Sequence, residues 1–271
     1  MISKKFYYLV IGLNVSALAI IFFVSPEKII SHEVGSKTDS TKISYQELDA
    51  SIADYLFKAE YYFSPDQYDL VKAEYYYRKV ISLDPDKYPL AWYQLSRIEF
   101  LKGNFSVSIS LLNQKIDTFG DAIPNVYYMK GLNYAFMADK YGRKSNWKQS
   151  EKNFLRFLDF FPNNPWARID LAWVYFSLDE FNKMGKALEP LIVTEQDNPW
   201  FLNMYALALF HNGEQELAKK IIQSAYQWIR VTTVEDWASV YPENNPRDWP
   251  AGLNEFKTAV EKNYTLITNH N

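Results

Sequence analysis

The chain has 271 residues, 48% hydrophobic and 23% charged, with a formal net charge of −3, which gives no electrostatic footprint for nucleic acid, where a basic stripe would be expected. It has no cysteine, which excludes disulfides, thiolate metal sites, cysteine nucleophiles and a lipid anchor through cysteine. Only three histidines occur (His32, His211 and His270), too few and too scattered for a histidine metal cluster or catalytic triad.

Aromatic residues are abundant, with 21 Tyr, 18 Phe and 8 Trp against only 9 Gly, and the prolines fall at what look like segment ends. This is the balance of a helical protein packed with bulky side chains.

At the N-terminus, Lys4 and Lys5 precede Phe6–Val24, 19 residues without a charge, closed by Ser25-Pro26. At about 1.5 Å per residue such a run spans a hydrocarbon core of roughly 30 Å. A cleaved signal peptide, an uncleaved anchor and a buried helix all fit an apolar run. The sole A-x-A site, Ala17-Leu18-Ala19, would leave a greasy new terminus, so the anchor is the expectation. The charge asymmetry then places Met1 in the cytoplasm and the body outside it, as a single-pass membrane protein, with a cleaved secretory signal as the alternative. Ser31–Lys42 is polar and without periodicity, and reads as a flexible tether.

From Ser51 onward the chain repeats. Ala73, Ser108, Ser150, Met184 and Ala218 are 35, 42, 34 and 34 residues apart, each followed four positions later by Tyr77, Leu112, Phe154, Leu188 or Ile222. An earlier register runs through Ala59, Ser96, Gly131, Ala172 and Ala206, at steps of 37, 35, 41 and 34. Turn signals separate the two registers at Ser64-Pro65-Asp66, Gly103-Asn104, Asp179-Glu180 and Asn212-Gly213, and Asp84-Pro85, Phe119-Gly120 and Phe161-Pro162 close units. A period near 34 is two helices of three to four turns with two short connections. The small residues let backbones approach and the large ones fill the gap between pairs.

The spacing resembles the tetratricopeptide repeat, whose pattern is W-x2-L-G-x2-Y, then A-x3-F, then P. Trp92-x2-Leu95-Ser96 with Gly103, Ser108 and Leu112 carries the likeness, as does Gly131-x2-Tyr134 with Ser150, Phe154 and Pro162. The unit from Leu202 keeps Ala206, Leu209, Gly213, Ala218 and Ala225. The resemblance covers about Ser51–Tyr226 and implies an all-α, right-handed α-solenoid of about five helix pairs. Departures are expected in two places. Some seven extra residues within Met137–Ser145 would lengthen the inter-helix turn of the third unit. Pro190 would kink the second helix of the fourth.

After Tyr226 the pattern lapses. Val231–Trp249 reads as a short helix and a loop holding Pro242 and Pro246. Pro250–Thr268 then restarts as a helix with Leu253, Phe256, Val260 and Tyr264 on one face, a terminal cap. Trp237 and Trp249 are the alternative here, as markers of a binding surface. The expected organisation is an anchor over 1–25, a tether over 26–45, a solenoid over 46–228 and a loop with a capping helix over 229–271.

No Gly-rich phosphate loop, G-x-S-x-G elbow or H-E-x-x-H motif is present. Acidic pairs such as Glu235-Asp236 read as solvated surface rather than a glycosidase dyad, and Asp139–Lys144 as a solvated basic loop. No cofactor, metal or nucleic acid is expected, and no catalysis. In the resembled family the first helices line a concave face that binds peptides or partner helices. That face here carries Tyr93, Arg97, Phe100, Tyr128, Trp166, Trp173, Phe176, Trp200, Asn203 and Phe210 as a groove for a protein or peptide partner. Arg97 is present without the Lys/Asn set with which the family grips a C-terminal carboxylate. A second reading is a glycan-binding accessory protein stacking sugars on Trp166, Trp173, Trp200 and Trp249, which requires those indoles to be exposed. An enzymatic reading would need a polar pocket holding a perturbed acid.

Overall fold

A computed structural model describes residues 45–269. Among these residues there are twelve α-helices and no strand. Five helical pairs follow one another: α1 (Tyr45–Phe63) with α2 (Leu70–Leu83), α3 (Pro89–Leu101) with α4 (Phe105–Phe119), and α5 (Pro124–Tyr141) with α6 (Lys144–Phe160). The last two are α7 (Pro165–Ser177) with α8 (Phe181–Leu188), and α9 (Pro199–His211) with α10 (Gln215–Val231). A short α11 (Val234–Val240) and a long α12 (Trp249–Thr268) complete the order.

Local chemistry sets the boundaries. α3, α5, α7 and α9 each begin on a proline, whose missing N–H would be unpaired at that position anyway. Asn164 and Asn198 cap α7 and α9 by accepting from the Ala167 N–H (2.9 Å) and from the Trp200 and Phe201 N–H groups (3.0 and 3.2 Å). Thr233 and Asp236 form a reciprocal capping box that starts α11, which gives Asp236 a structural task instead of a place in an acidic dyad.

Each helix packs on its partner and on the next pair, and the two sequence registers are the seams. Ala59, Ser96, Ala172 and Ala206 of the first helices are fully buried, as are Ala73, Ser108, Ser150, Met184 and Ala218 of the second. Tyr77, Leu112, Phe154, Leu188 and Ile222 fill the gaps between them, all with 0% exposure. At Gly131 the approach is closest: a Cβ there would lie 2.8 Å from the Phe154 ring, and the Ser150 hydroxyl donates to the Gly131 carbonyl at 2.7 Å. Gly131→Ala is therefore expected to cost about 1–3 kcal/mol in urea unfolding, because the ring must move out of its rotamer. Adding Phe154→Leu should recover part of that loss, and additive costs would show that the two do not touch.

Successive first helices touch one another (α3 with α5, α5 with α7, α7 with α9, α9 with α12), while no comparable contact joins the second helices. The stack therefore curves with the first helices inside. α12 packs on α10 and α9 where the first helix of a sixth pair would stand. Leu253, Phe256 and Val260 are buried there, so α12 covers the open end of the core.

Two local expectations are corrected. The extra residues of the third unit do not form a long turn; they extend α5 to 18 residues against 13 in α3, α7 and α9, and only Gly142-Arg143 separates α5 from α6. Met137–Tyr141 continues a helix until Gly142, at φ +66°, closes it in the left-handed conformation. Pro190 does not kink a continuing helix: α8 stops at Leu188 and a 3-10 turn, Glu189–Leu191, takes over.

The membrane placement is also corrected. No helix among the described residues is long and apolar enough to cross a membrane. The most apolar of them, α9, has only 13 residues. The expected span Phe6–Val24 and the tether Ser31–Lys42 lie outside the described residues. A single-pass membrane localisation accordingly has no support.

Candidate functional site

The inner face of the stack is built by α3, α5, α7 and α9, and residues 241–249, the link between α11 and α12 with the first residue of α12, lie against it at α3 and α9 and include a 3-10 turn over Pro246–Asp248. Pro242 and Pro246 keep this link from continuing α11 as a helix. Two backbone hydrogen bonds tie it to itself before α12 begins, Asn244 N–H to the Tyr241 carbonyl (3.2 Å) and Asp248 N–H to that of Asn245 (2.8 Å). Side chains hold it to the rest of the protein.

At one end the hold is aromatic. Tyr241 is 1% exposed, with its ring 4.3 Å from that of Trp237 and 6.1 Å from that of Trp200. Trp200, the second residue of α9, is also 4.9 Å from Phe256 of α12 and 5.8 Å from Trp166 of α7. The Trp249 indole N–H donates to the Tyr241 carbonyl at 3.0 Å, closing the link on itself.

At the other end the hold is ionic. Glu243 pairs with Arg97 of α3, which is 5% exposed. The same guanidinium donates to Gln94 and lies 5.3 Å from the Phe63 ring centre and 5.7 Å from that of Tyr93. Gln94 donates in turn to Glu60 (3.2 Å), which also accepts from the Tyr77 hydroxyl at 2.5 Å. One polar chain thus runs from α2 through α1 and α3 to Glu243. Beyond it, burial pushes the Tyr68 phenol up to about 12, with the nearby Asp248 carboxylate adding to the shift.

Between the two ends lie buried ionisable groups. The Tyr128 hydroxyl donates to Asp170 at 2.6 Å, and desolvation pushes the Asp170 carboxyl up to about 7. The Tyr93 phenol, pushed up to about 12 by burial, has no hydrogen-bond partner, and neither has the Trp200 indole N–H. Lys115 of α4, 5% exposed, sets its ammonium 4.9 Å from the Tyr93 ring centre, and burial brings it down to about 8. Lys115→Met should stabilise the fold at pH 7 by up to about 3 kcal/mol, since the cation's desolvation is then absent. The folded protein binds fewer protons than the unfolded chain between about pH 8 and 10.5, so native stability rises across that window. The variant should lose that rise, measured as chemical unfolding against pH.

No family model matches the chain, and no curated protein matches it. Solved structures do match. YrrB, described as a TPR protein with an unusual peptide-binding site, superposes with a TM-score of 0.52 at 13% identity, over 67% of this chain and 91% of that one. MamA from Desulfovibrio magneticus RS-1 gives 0.57 at 10% identity, over 66% and 96%. PilF of Pseudomonas aeruginosa gives 0.55 at 13% identity, over 82% and 98%. The fold is the tetratricopeptide-repeat fold.

Within that tetratricopeptide frame the ten expected groove residues separate into three sets. Tyr93, Arg97, Tyr128, Trp166, Trp200 and Asn203 are on the inner side, but all except Trp166 are buried, and Asn203 accepts a hydrogen bond from Asn263 of α12 at 2.8 Å. Phe100 and Trp173 are inter-pair core, against Phe136 at 5.1 and 5.6 Å. Phe176 and Phe210 are half-buried near His211, at the far ends of α7 and α9. Of the inner residues, Arg97 and Trp200 touch the link between α11 and α12, Asn203 touches α12, and Tyr128 packs on Phe154, Phe157 and Asp170. Lys115, Asp170, Tyr241 and Glu243 were not anticipated. Asp170 had a signal, as the one acid inside the apolar run of α7, and so had Glu243, between two prolines. Lys115 had none.

Proposed function

We propose that the protein is a non-catalytic interaction scaffold that binds a polypeptide segment along the inner face of α3, α5, α7 and α9. The observation that carries this reading is that a non-α-helical turn segment of the chain, Tyr241–Asn245, already lies on the inner face, with Tyr241 among aromatic rings and Glu243 on a buried arginine. Tyr, Trp and Arg are the side chains that concentrate binding energy, and a preformed face loses little entropy on association. YrrB, which shares the fold, is described with a peptide-binding site. Among the described residues no group of His, Cys, Asp or Glu is arranged to hold a metal ion. The buried acid of the groove, Asp170, is engaged by a phenol and not by a nucleophile.

The glycan reading is not retained. Trp173 is fully buried and Trp200 is 8% exposed between neighbouring rings, so neither face is open to a sugar.

The test is selection of random linear peptides on the full chain, followed by photo-crosslinking of the selected peptides. Adducts on α3, α5, α7 or α9 and on the 241–249 link are expected. Adducts confined to the outer helices, or no selected peptide after repeated rounds, would contradict the reading.

A further inference from the structure

We propose that residues 241–249 are an internal stand-in for the partner. The groove then takes a peptide turn that presents an aromatic residue, a carboxylate two positions later and a second acidic group. This inference rests on the binding reading above and specifies its ligand.

The first two requirements come from the link itself. Tyr241 and Glu243 are its anchors, one seated among Trp200 and Trp237 and the other on Arg97, with Pro242 between them at the second position of a turn that the Asn244 N–H closes on the Tyr241 carbonyl. The residues after them are held far less: Asn244, Asn245 and Pro246 are half-buried, and Arg247 and Asp248 are exposed. Few backbone hydrogen bonds would be lost on release.

The third requirement comes from what the link leaves unmet. Two cations lie near the Tyr93 ring, Arg97 and Lys115, both 5% exposed. Glu243 and the Glu60–Gln94 relay serve Arg97. No carboxylate lies within ion-pair reach of Lys115 among the described residues, and nothing but burial shifts it. A buried cation without a counter-ion is costly, so a ligand that supplies one gains what the link does not. The unpartnered Tyr93 hydroxyl is a further donor beside it. A tethered segment competes at high effective concentration, and this extra pairing is how an external peptide displaces it.

The experiment is fluorescence anisotropy with a labelled peptide ASVYPENNPRDW, which copies residues 238–249, and a second peptide with Gln in place of its Glu. Each is titrated into the intact full chain and into the Glu243→Gln chain. At least tenfold tighter binding of the first peptide to Glu243→Gln than to the intact chain is expected, with at least tenfold weaker binding of the Gln peptide. A peptide carrying a second acid after the first should bind tighter still, and Lys115→Met should abolish that gain. If Glu243→Gln does not fold, a Pro242→Gly, Pro246→Gly chain loosens the link while keeping the ion pair, and the same ranking of peptides is expected. Equal binding of the Glu and Gln peptides would overturn the inference. So would failure of both while selected peptides of other chemistry still crosslink to the inner face, and that result would leave the scaffold reading standing. Binding of no peptide of any kind would overturn both.

Discussion

Phe154→Ala is expected to destabilise the protein by about 3–5 kcal/mol, more than the Gly131→Ala change on the opposite side of the same contact. Its ring is 0% exposed, packs 5.6 Å from that of Tyr128 and lies directly on Gly131. The stacked backbones around it are held by helix hydrogen bonding and cannot close on the void, so transfer and cavity costs add. In a stack of repeats each pair contacts only its neighbours, so stability is a sum of pair and interface contributions. The loss should therefore appear as early exchange of amides in α5 and α6, ahead of those in α1 and α2. Simultaneous exchange throughout would mean that the stack unfolds as one unit.

Asp170→Asn is expected to act in the opposite direction. The Asp170 carboxyl is 2% exposed and raised from 3.8 to about 7 by desolvation, which the Tyr128 hydroxyl only partly offsets. Between about pH 4 and 7 the folded protein holds a proton that the unfolded chain has released, so stability falls as pH rises through that window. Below it both states are protonated and the penalty is absent. Above it the penalty is complete, at most about 4 kcal/mol for a shift of this size. Asparagine keeps an acceptor for Tyr128 and has no charge to desolvate. Thermal or urea unfolding should give the variant and the parent similar stability near pH 4, with the variant more stable by several kcal/mol at pH 8. A variant less stable at pH 8 would show that the ionised carboxylate has compensation beyond the Tyr128 hydrogen bond.

The repeat registers were legible because they obey a local rule: a small residue and a large one four positions on, returning every 34 or so residues. Gly131 with Phe154, and Ala73 with Tyr77, are read that way and packed that way. The same rule could not find which inner residues would be exposed, because that depends on residues 241–249, which lie some 150 positions from Arg97 in sequence. It also misjudged Met137–Tyr141, where helix propensity continued α5 past the point at which the other first helices stop. Lys115 escaped notice for a different reason. A lone lysine on an amphipathic helix looks solvated, and only the aromatic wall brought by α3 buries it.

The proposed recognition turns on the closed groove, and the absence of cysteine allows a direct measurement of it. Asn244→Cys would give the chain a single thiol, on a half-buried residue of the link. A short photo-crosslinker attached there and activated at high dilution reports by mass spectrometry what the link touches. Adducts within one molecule on α3 around Arg97 and on the α1–α2 turn around Tyr68 are the expected result, diminishing when a bound peptide displaces the link. Adducts confined to α10, α11 and α12 would rule the closed groove out, since the inner face would then be open and the link would have no part in its recognition.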